Sequence, residues 1–297
     1  MTEFSASTSA TGIENPVNHT HPSEDPTRRA FDGAAPTYDT DYEHLHGIRR
    51  LRTIIHRRYL HYFREGQHLL ELNCGTGTDA ILLARNGIDV QVTDVSYGMI
   101  VQAREKVRSA GLEQHVTAQV LSYHDLHQLA GATFDGAYSN MGGLNCSDDL
   151  AGIARDLASL VRPGGYFIAT VMTNFCFWET MAFAARLQLR NAFRRRRPNG
   201  VAARLNGGIV QTYYYAPGTF ASAFAPYFDR VESQGLNIFT PPPNSTRAYT
   251  AAPALLAALE KVDDKISRLP GLSAMGDHFL MVLRRKGPGG KGGDERA

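Results

Sequence analysis

Short apolar runs of strand length alternate along the chain with segments whose apolar residues recur at helical spacing. Seven runs indicate β-strands: one that begins at Leu69, followed by Ile88–Thr93, Val116–Leu121, Thr133–Ser139, Tyr166–Met172, Ile209–Tyr215 and His278–Arg284. Helical spacing is found over Val95–Ala110, Leu150–Leu160, Asn174–Arg197, Thr219–Phe228 and Pro253–Ile266. Strands that alternate with helices predict an α/β domain with a doubly wound, mostly parallel, seven-stranded sheet and helices on both faces.

The first strand leads into a turn that contains two glycines. In Leu69–Ala84, LLELNCGTGTDAILLA, the apolar run ends at Glu71, Gly75 and Gly77 follow, and the chain then turns apolar at helical spacing. This order predicts a strand, a loop whose backbone a ligand can approach, and a helix whose N-terminus faces that ligand. The next strand ends at Asp94, seventeen residues after Gly77, where a carboxylate can accept hydrogen bonds from both hydroxyls of a ribose.

Two classes of cofactor are compatible with this pattern. Gly75, Gly77 and Ala80 formally satisfy the dinucleotide-binding fingerprint, with alanine in the third place. That fingerprint has its glycines directly after the strand, so that a pyrophosphate can bind at the helix N-terminus, whereas Glu71 closes this strand four residues before Gly75. A carboxylate beside a phosphate would repel it but would suit a cationic ligand, which favours a positively charged cofactor.

Two segments carry a family resemblance. Glu71–Gly77 resembles the first motif of class I S-adenosylmethionine (SAM)-dependent methyltransferases, and residues 160–171, LVRPGGYFIATV, resemble the helix end and Pro-Gly turn before their fifth strand. The resemblance covers roughly Phe31 to Met172. It implies a Rossmann-like fold with SAM as cofactor and S-adenosylhomocysteine as its product. It also implies that Glu71 lies near the amino-acid part of SAM and that Asp94 binds the ribose.

Further cofactor contacts are implied along the glycine loop and after the next three strands, at Asn73, Cys74, Gly75, Gly77, Val95, Met99, Ser122, Tyr123 and Ser139. Tyr123 is expected to flank the adenine ring, together with Val95 or Met99. The family often has an acid where this chain has Ser122, so Ser122 or a nearby backbone group is expected to bind the adenine amine. The family usually has glycine at Asn73, and asparagine tolerates a positive φ better than other non-glycine residues.

The segment before the first strand, residues 28–64, predicts a helical lid. Phe31 and the pair Tyr38-Asp39 resemble the lead-in of methyltransferases of the ubiquinone and menaquinone biosynthesis type, in which such a segment folds over the SAM pocket. Tyr38 is therefore expected beside the cofactor; the alternative is a tyrosine that packs the first helix. His46 precedes an amphipathic helix and is a candidate proton acceptor for a substrate hydroxyl or amine, although a lone histidine is more often a surface or packing residue.

The loop after the fourth strand, SNMGGLNCS over residues 139–147, is expected to contact the methyl acceptor. Doubly wound sheets bind ligands beyond the carboxyl ends of their strands. Asn140 is a candidate to orient the nucleophile there, and Gly142-Gly143 permits close backbone approach. The alternative is a plain loop that ends in a helix cap at Ser147.

The C-terminal part is expected to shape the acceptor pocket. Phe175, Phe177 and Trp178 follow the fifth strand and either wall an apolar pocket or pack the core. The run Arg194–Arg197 is compatible with contacts to nucleic acid, to an acidic headgroup or to solvent alone. A helical insertion within Tyr249–Leu269 is expected to complete the roof of the pocket.

Composition is typical of one enzyme domain. The chain has 297 residues, a formal charge of +2 and three cysteines without zinc-ligand spacing, which favours a reducing, cytoplasmic location and no resident metal. Residues 1–27 lack apolar periodicity and a signal-peptide pattern, and residues 287–297 are glycine-rich, so both are predicted to be disordered tails. No apolar run reaches transmembrane length. The domain, 28–286, is divided into a lid (28–64), a SAM-binding core (65–172) and substrate-side helices and last strands (173–286).

These patterns predict an enzyme that transfers a methyl group from SAM to a small molecule, with an aromatic or lipid-like acceptor favoured by the aromatic wall. Because the sulfonium is already activated, the protein mainly has to align the acceptor. Two alternatives remain open, a non-catalytic SAM-binding or regulatory protein and an RNA methyltransferase. Nucleic acid is disfavoured because residues 140–143, NMGG, lack the Pro-Pro-aromatic pattern that holds a flipped base, and no RNA-binding domain is visible.

Overall fold

The computed structural model describes residues 25–205 and 208–287. The predicted tails, residues 1–27 and 287–297, lie outside the described residues apart from three residues of the first and one of the last. Within the described part of the chain, no helix combines the length and the apolar character needed to cross a bilayer.

The described residues form nine β-strands, seven of which make one central sheet. They are β1 (His68–Leu72), β2 (Asp89–Asp94), β3 (Val116–Val120), β4 (Phe134–Ser139), β5 (Val161–Met172), β6 (Val201–Leu205), β7 (Gly208–Thr212), β8 (Phe228–Leu236) and β9 (His278–Arg285). The central sheet has the order β3-β2-β1-β4-β5-β9-β8, in which β1 to β5 are parallel and β9 is antiparallel to both neighbours. The predicted class, α/β with a mostly parallel seven-stranded sheet, is confirmed.

Helices cover both faces of the sheet. They are α1 (Pro26–Ala34), α2 (Tyr38–Tyr42), α3 (His46–Tyr62), α4 (Thr78–Ala84), α5 (Tyr97–Ser109), α6 (Leu150–Leu160), α7 (Phe177–Ala184), α8 (Leu189–Ala192), α9 (Pro217–Phe224), α10 (Thr246–Ala251) and α11 (Pro253–Ile266). Successive side chains of β1 alternate between the faces, so Leu69 packs with α3, α4 and α5 while Leu70 packs with α6 and α9. Helix α1 starts within the predicted tail because Asp25 caps it and Pro26 suits the first helical position.

Two expectations about the C-terminal part are wrong. The predicted sheet strand Ile209–Tyr215 corresponds to β7, which pairs with β6 in a separate hairpin. The sixth sheet strand is instead β8, an edge strand that exposes the charged Asp229 and Arg230 and therefore shows no regular alternation. The predicted helix Asn174–Arg197 is divided into α7 and α8, with Leu187 at a positive φ of 57° between them.

Phe224 of α9 should be a main stability determinant of the sheet's second face. Its ring centroid lies 4.7 Å from that of Phe220 and 5.3 Å from that of Phe167 on β5. Phe224→Ala leaves a cavity there and should lower the free energy of unfolding by about 3–5 kcal/mol, measured by urea denaturation. Leu255→Ala, at a position that is 59% exposed on α11, should change it by less than about 0.5 kcal/mol. A loss below about 1 kcal/mol in the Phe224 variant would contradict this role.

Candidate active site

A cavity of about 920 Å³ opens at the carboxyl ends of the parallel strands, the edge at which doubly wound sheets bind ligands. Its wall is built from the ends of β1, β2, β4 and β5, from α2, α3 and α7, and from the loop before α10. Ten of the predicted site residues line it: Tyr38, Glu71, Asn73, Cys74, Gly75, Asp94, Val95, Met99, Tyr123 and Asn140.

The loop after β1 has the backbone that its sequence predicts. Asn73, Gly75 and Gly77 have positive φ angles of 50°, 53° and 76°, so Asn73 takes the left-handed region in place of the usual glycine. Its side chain joins this loop to the end of β4. Oδ1 accepts a hydrogen bond from Ser139 Oγ at 2.7 Å, and Nδ2 donates to the Asn140 carbonyl oxygen at 3.3 Å. Asn73 therefore sets the spacing between the two loops that face the cavity.

The glycine pair after β4 allows this close approach. A Cβ atom on Gly143 would lie 2.0 Å from Nδ2 of Asn73, which no side chain could accommodate. Gly142 has a φ of 76°, a conformation that favours glycine. Both positions therefore need glycine for the two loops to stay in contact.

Asp94 ends β2 and is held by backbone amides beside the glycine loop. Its Oδ2 accepts a hydrogen bond from the Gly75 amide and its Oδ1 accepts one from the Ser96 amide, each at 2.9 Å. Burial raises the pKa of Asp94 to about 6, even though these two hydrogen bonds lower it. The remaining lone pairs of the carboxylate are free to accept from a ribose diol.

The cofactor end of the cavity is rich in buried acids. Glu71, Asp79 and Asp94 all line it, and none is more than 6% exposed. Burial, together with the charge of Asp79, holds the pKa of Glu71 well above its usual range, while a hydrogen bond from the Tyr138 hydroxyl at 2.9 Å opposes the shift. A positively charged ligand beside Glu71 would stabilise its ionised form. This end of the cavity therefore suits a cation.

Arg52 of α3 is a lining residue that sequence analysis missed. Its Nε and Nη1 are buried and have no hydrogen-bond partner among the described residues, although Nε lies 3.9 Å from Asp79 and Nη1 lies 3.6 Å from Glu43. Buried donors without acceptors are costly, so this position favours an anionic ligand group. The available signal was its place directly after Leu51, at the border of the apolar stripe of α3.

Asn140 is oriented by Asp79. Its Nδ2 donates to Asp79 Oδ2 at 2.5 Å, and its Oδ1 accepts from the Met141 amide at 2.7 Å. Burial raises the pKa of Asp79, but the hydrogen bond to His56 and the charge of Arg52 outweigh it and keep the pKa below its usual range. Asn140 therefore lines the cavity as a fixed amide that keeps one N–H free for a ligand.

Three predicted cofactor residues, Gly77, Ser122 and Ser139, do not line the cavity. Gly77 is the N-cap of α4, and Ser139 binds the side chain of Asn73. The Ser122 hydroxyl accepts a hydrogen bond from the His124 amide at 3.2 Å and so stabilises its own turn. Of the two predicted partners for the adenine amine, this geometry favours a backbone group over Ser122.

His46 lies outside the cavity, contrary to its expected role. Its side chain is 54% exposed, and its Nε2 lies 2.9 Å from Oε1 of Glu260 on α11. The start of α3 is packed tightly against the insertion, because a Cβ on Gly47 would lie 2.5 Å from the Pro243 carbonyl oxygen. The role of His46 as a proton acceptor therefore has no geometric support.

Helix α2 covers the glycine loop through polar contacts. Thr76 donates to Asp39 Oδ1 at 2.6 Å, and Lys106 of α5 donates to both Asp39 Oδ2 and Thr78 Oγ1 at 2.7 Å. Tyr38, at the start of α2, lines the cavity, and burial raises its pKa to about 12, which keeps the phenol protonated. The segment predicted to be a lid thus lies over the predicted cofactor loop.

Another part of the cavity lining comes from α7 and from the β6–β7 hairpin, which packs against α1. Of the three aromatic residues predicted to wall it, Trp178 lines the cavity, and Phe183 of the same helix joins it. Phe175 and Phe177 are not part of the lining; Phe177 packs against another phenylalanine, with ring centroids 5.4 Å apart. The aromatic wall is therefore smaller than the sequence predicts.

The basic run Arg194–Arg197 is not simply a solvated patch. Arg195 is 7% exposed, and its Nη2 lies 2.7 Å from Glu179 and 2.5 Å from Asp277. Arg194 donates from Nε to Glu179 at 2.6 Å. We call Glu179, Arg194, Arg195 and Asp277 the Arg195 cluster. Sequence analysis missed it because its members come from three distant segments.

Comparisons with known proteins identify a methyltransferase domain in the chain. The family described as "Methyltransferase domain" matches residues 69–165. A demethylmenaquinone methyltransferase from Symbiobacterium thermophilum is 29% identical over 172 residues, which covers 52% of this chain and 65% of that protein. The O-methyltransferase resE of Aspergillus sclerotiorum is 35% identical over 100 residues, which covers 33% of this chain and 37% of that protein. Residues 69–165 therefore form a methyltransferase domain, and the chain is similar to known methyltransferases beyond the bounds of this domain.

Solved structures share the fold of this chain. The [4+2]-cyclase SpnF superposes with a TM-score of 0.56 at 16% identity, over 88% of this chain and 94% of that one. A geranyl diphosphate C-methyltransferase from Streptomyces coelicolor A3(2) gives a TM-score of 0.52 at 13% identity, over 80% of each chain. The two curated relatives named above are matched over less than two thirds of their own length, 37% and 65%. These matches establish the methyltransferase domain but do not identify its methyl acceptor.

The residues at the acid-rich end fit SAM, the cofactor of this methyltransferase family. The unpaired, buried nitrogens of Arg52 are the observation that supports the fit, because the methionine part of SAM carries a carboxylate. Asp94 is expected to accept from the ribose, and Glu71 to face the positive charges. Tyr123 and Met99 line the cavity where the adenine is expected. These individual roles stay predictions.

Removing the Lys106 cation should loosen the lid. In Lys106→Met, α2 loses its link to α5, so amide hydrogen exchange across residues 38–43 should accelerate and SAM binding should weaken several-fold. Arg108→Met is the matched control, since Arg108 lies on the same helix in an exposed pair with Glu105 and should leave both unchanged. Unaltered exchange in Lys106→Met would show that other contacts hold α2.

The affinity for SAM should fall with pH below about 6, because the pKa of Asp94 in the ligand-free protein is about 6. Below this pH the carboxyl is protonated and accepts ribose hydrogen bonds poorly; above it the carboxylate is fully available. Calorimetry should show Kd rising by up to about tenfold per pH unit below 6. Asp94→Asn should weaken binding at pH 8 by about 1.5–3 kcal/mol and flatten this dependence. An unchanged slope in the variant would assign the titration to another group.

Proposed function

We propose that this methyltransferase transfers the methyl group of SAM to a small-molecule acceptor that is aromatic or lipid-like. One observation carries the proposal: a single cavity of about 920 Å³ joins the acid-rich cofactor end to an end lined by Trp178 and Phe183. Ligand pockets commonly measure about 300–1,000 Å³. The volume is therefore at the upper end of this range and suits a cofactor and a small acceptor side by side.

Each part of the chain has a defined task in this proposal. When bound, SAM supplies a methyl group on a sulfonium that is already activated for transfer. Arg52, Asp94 and Glu71 hold the cofactor, and the free N–H of Asn140 orients the acceptor. The lid, residues 28–64, closes over the glycine loop and excludes water from the reacting groups. Trp178 provides an apolar wall for the acceptor.

Two further observations support a small-molecule acceptor. Two relatives are named an O-methyltransferase and a demethylmenaquinone methyltransferase. Arg194 and Arg195 are paired with carboxylates, which removes them from a nucleic-acid-binding surface.

The three cysteines are unpaired, in keeping with a reducing, cytoplasmic location.

The proposal is tested by incubating the full chain with SAM carrying a labelled methyl group and a panel of phenols, quinols and hydroxylated lipids. Mass spectrometry should detect one methylated product and an equal amount of S-adenosylhomocysteine. Trp178→Ala should raise KM for that acceptor about tenfold, a loss of about 1.4 kcal/mol, and leave the Kd of SAM unchanged.

Leu255→Ala serves as the control because Leu255 is exposed on α11, outside the cavity lining. If SAM binds but no acceptor is methylated, including those in a small-molecule extract, the non-catalytic alternative is favoured.

A further inference from the structure

His278 is a buried histidine at the acceptor end of the cavity that has no part in the scheme above. It is the first residue of β9, is 6% exposed and lines the cavity. Its register partner on β5 is Met172, the last residue of that strand and also a lining residue. Only β5 separates β9 from β4 in the described sheet, and Met172 lies three residues beyond Ala169, the register partner of Ser139 at the end of β4. His278 is therefore displaced from the end of β4 by about 10 Å across the strands and about 10 Å along them.

Asp277 places a carboxylate beside one nitrogen of the imidazole ring. Nδ1 of His278 lies 2.9 Å from Asp277 Oδ2, while Asp277 Oδ1 receives Nη2 of Arg195 at 2.5 Å. Burial would raise the pKa of Asp277, but Arg195 and His278 outweigh it and hold the pKa far below its usual range, so the carboxylate is ionised. The contact does not have hydrogen-bond geometry, but the negative charge beside Nδ1 still favours the tautomer with its proton there and the lone pair on Nε2.

The two ring nitrogens differ in burial. Among the described residues neither has a hydrogen-bond partner, but Nδ1 is fully buried whereas Nε2 is not among the buried atoms that lack a partner. Since His278 lines the cavity, Nε2 is the atom through which it can meet a ligand.

The surrounding charges do not require a protonated imidazole. In the Arg195 cluster the two guanidinium groups, Arg194 and Arg195, already balance the two carboxylates, Glu179 and Asp277. A neutral His278 completes a neutral cluster, whereas an added proton can be stabilised by the adjacent Asp277. A neutral imidazole can accept a proton, and the Asp277 carboxylate can stabilise the imidazolium that results, which is what a general base requires.

We propose that His278 is the general base of the methyl transfer and takes the proton of a phenol-type hydroxyl, with Asp277 and Arg195 as positioning residues. The inference rests on the proposed function and deepens it by specifying the acceptor. A phenol titrates near pH 10, as tyrosine does, so at neutral pH it needs a base. Imidazole titrates near neutrality and can supply one, whereas an aliphatic hydroxyl would be too weak an acid for it.

The proposed step balances without another reactant. The phenol oxygen forms a bond to the methyl carbon as the carbon–sulfur bond of the sulfonium breaks, and the electron pair of that bond stays on sulfur. The hydroxyl proton moves to Nε2 of His278. The products are a methyl ether, a neutral thioether and an imidazolium that is stabilised by Asp277 and returns its proton to solvent.

Several other titratable or charged groups surround His278 and Asp277. The titratable and charged side chains that face it or its Asp277 partner come from α7, α10 and the segments around β7, and they are Cys176, Glu179, Arg194, Arg195, Tyr214 and Tyr249. Burial raises the pKa of Cys176 to about 12, and burial likewise raises the pKa of both tyrosines. None of these three therefore changes charge between pH 5 and 9, so a signal change in this range does not come from them.

The first test reads the ring itself in the ligand-free full chain. The chain has eleven histidines, so the ¹⁵N signals of His278 are assigned as those missing from the His278→Gln spectrum. Near pH 8 we expect a neutral ring with its proton on Nδ1, and a loss of this tautomer preference in Asp277→Asn. A proton on Nε2, or a ring that stays cationic up to pH 9, would overturn the proposal.

The second test uses 4-nitrophenol, whose phenolate absorbs visible light, at a pH below its own pKa. The wild-type chain should generate phenolate absorbance on binding, and His278→Gln should not. His115→Gln is the matched control, since His115 forms another His–Asp pair, at 2.7 Å from Asp89, on the exposed surface. Absence of the phenolate signal in the wild type, or an equal signal in His278→Gln, would contradict a proton acceptor at this position.

Turnover gives the third readout and separates this inference from the proposed function. With a phenolic acceptor from the screen, His278→Gln should lower kcat/KM about 100- to 10,000-fold and remove the acidic limb of the pH profile. The Kd of SAM should not change. Full turnover in the variant would overturn the base assignment alone. If the wild type methylates nothing, the proposed function fails, while the ring and phenolate measurements still decide whether His278 accepts a proton.

Discussion

The carboxylate of Asp79 joins the segments that enclose the cavity. It belongs to α4, directly behind the glycine loop; its Oδ2 accepts from Asn140 at 2.5 Å, and its Oδ1 lies 2.7 Å from Nε2 of His56 on α3. A carboxylate that is 5% exposed is tolerated only with such partners, because desolvation of an isolated charge is costly. Since these partners come from α3 and from the loop after β4, one charge fixes the cofactor loop, the lid-side helix and the acceptor loop relative to one another.

The same charge prepares the cofactor end for a ligand with both signs of charge. Asp79 raises the pKa of Glu71, which therefore gains from a cation in the cavity. Asp79 also attracts Arg52, but Nε of Arg52 lies 3.9 Å from Oδ1 of Asp79 and forms no hydrogen bond with it. The guanidinium therefore keeps N–H donors, at Nε and Nη1, that can bind a ligand. An amino acid carries an ammonium group, which suits Glu71, and a carboxylate, which suits Arg52. The methionine part of SAM carries both groups.

The cofactor end could be predicted from sequence because its parts are local. Gly75 and Asp94 lie in one strand–helix–strand unit, and the φ of Asn73 follows from the turn it occupies. The acceptor end could not, because its chemistry depends on pairing between distant segments. His278 and Arg195 meet only through the antiparallel placement of β9, and β8 was missed because an edge strand exposes charges that interrupt its alternation. The surroundings of His46 could not be predicted for the same reason, since its contact with Glu260 depends on the position of α11.

The two covers of the cavity differ in how firmly the chain holds them. No residue of helix α2 is fully buried, Tyr38 being partly so, and the helix is held mainly by polar contacts that converge on Lys106, each worth about 0.5–1.5 kcal/mol net. The predicted helical insertion, Tyr249–Leu269, contributes no lining residue; the roof is instead the preceding segment, residues 242–248. Asp263 of α11 holds the chain just before this roof: it is 3% exposed and accepts from the amides of Ile238, Phe239 and Thr240 and from the Thr240 hydroxyl. Opening the roof would leave a buried carboxylate without donors, a far larger cost. Ligand entry by displacement of α2 is therefore the cheaper route, and the roof acts as the fixed wall against which the acceptor is aligned.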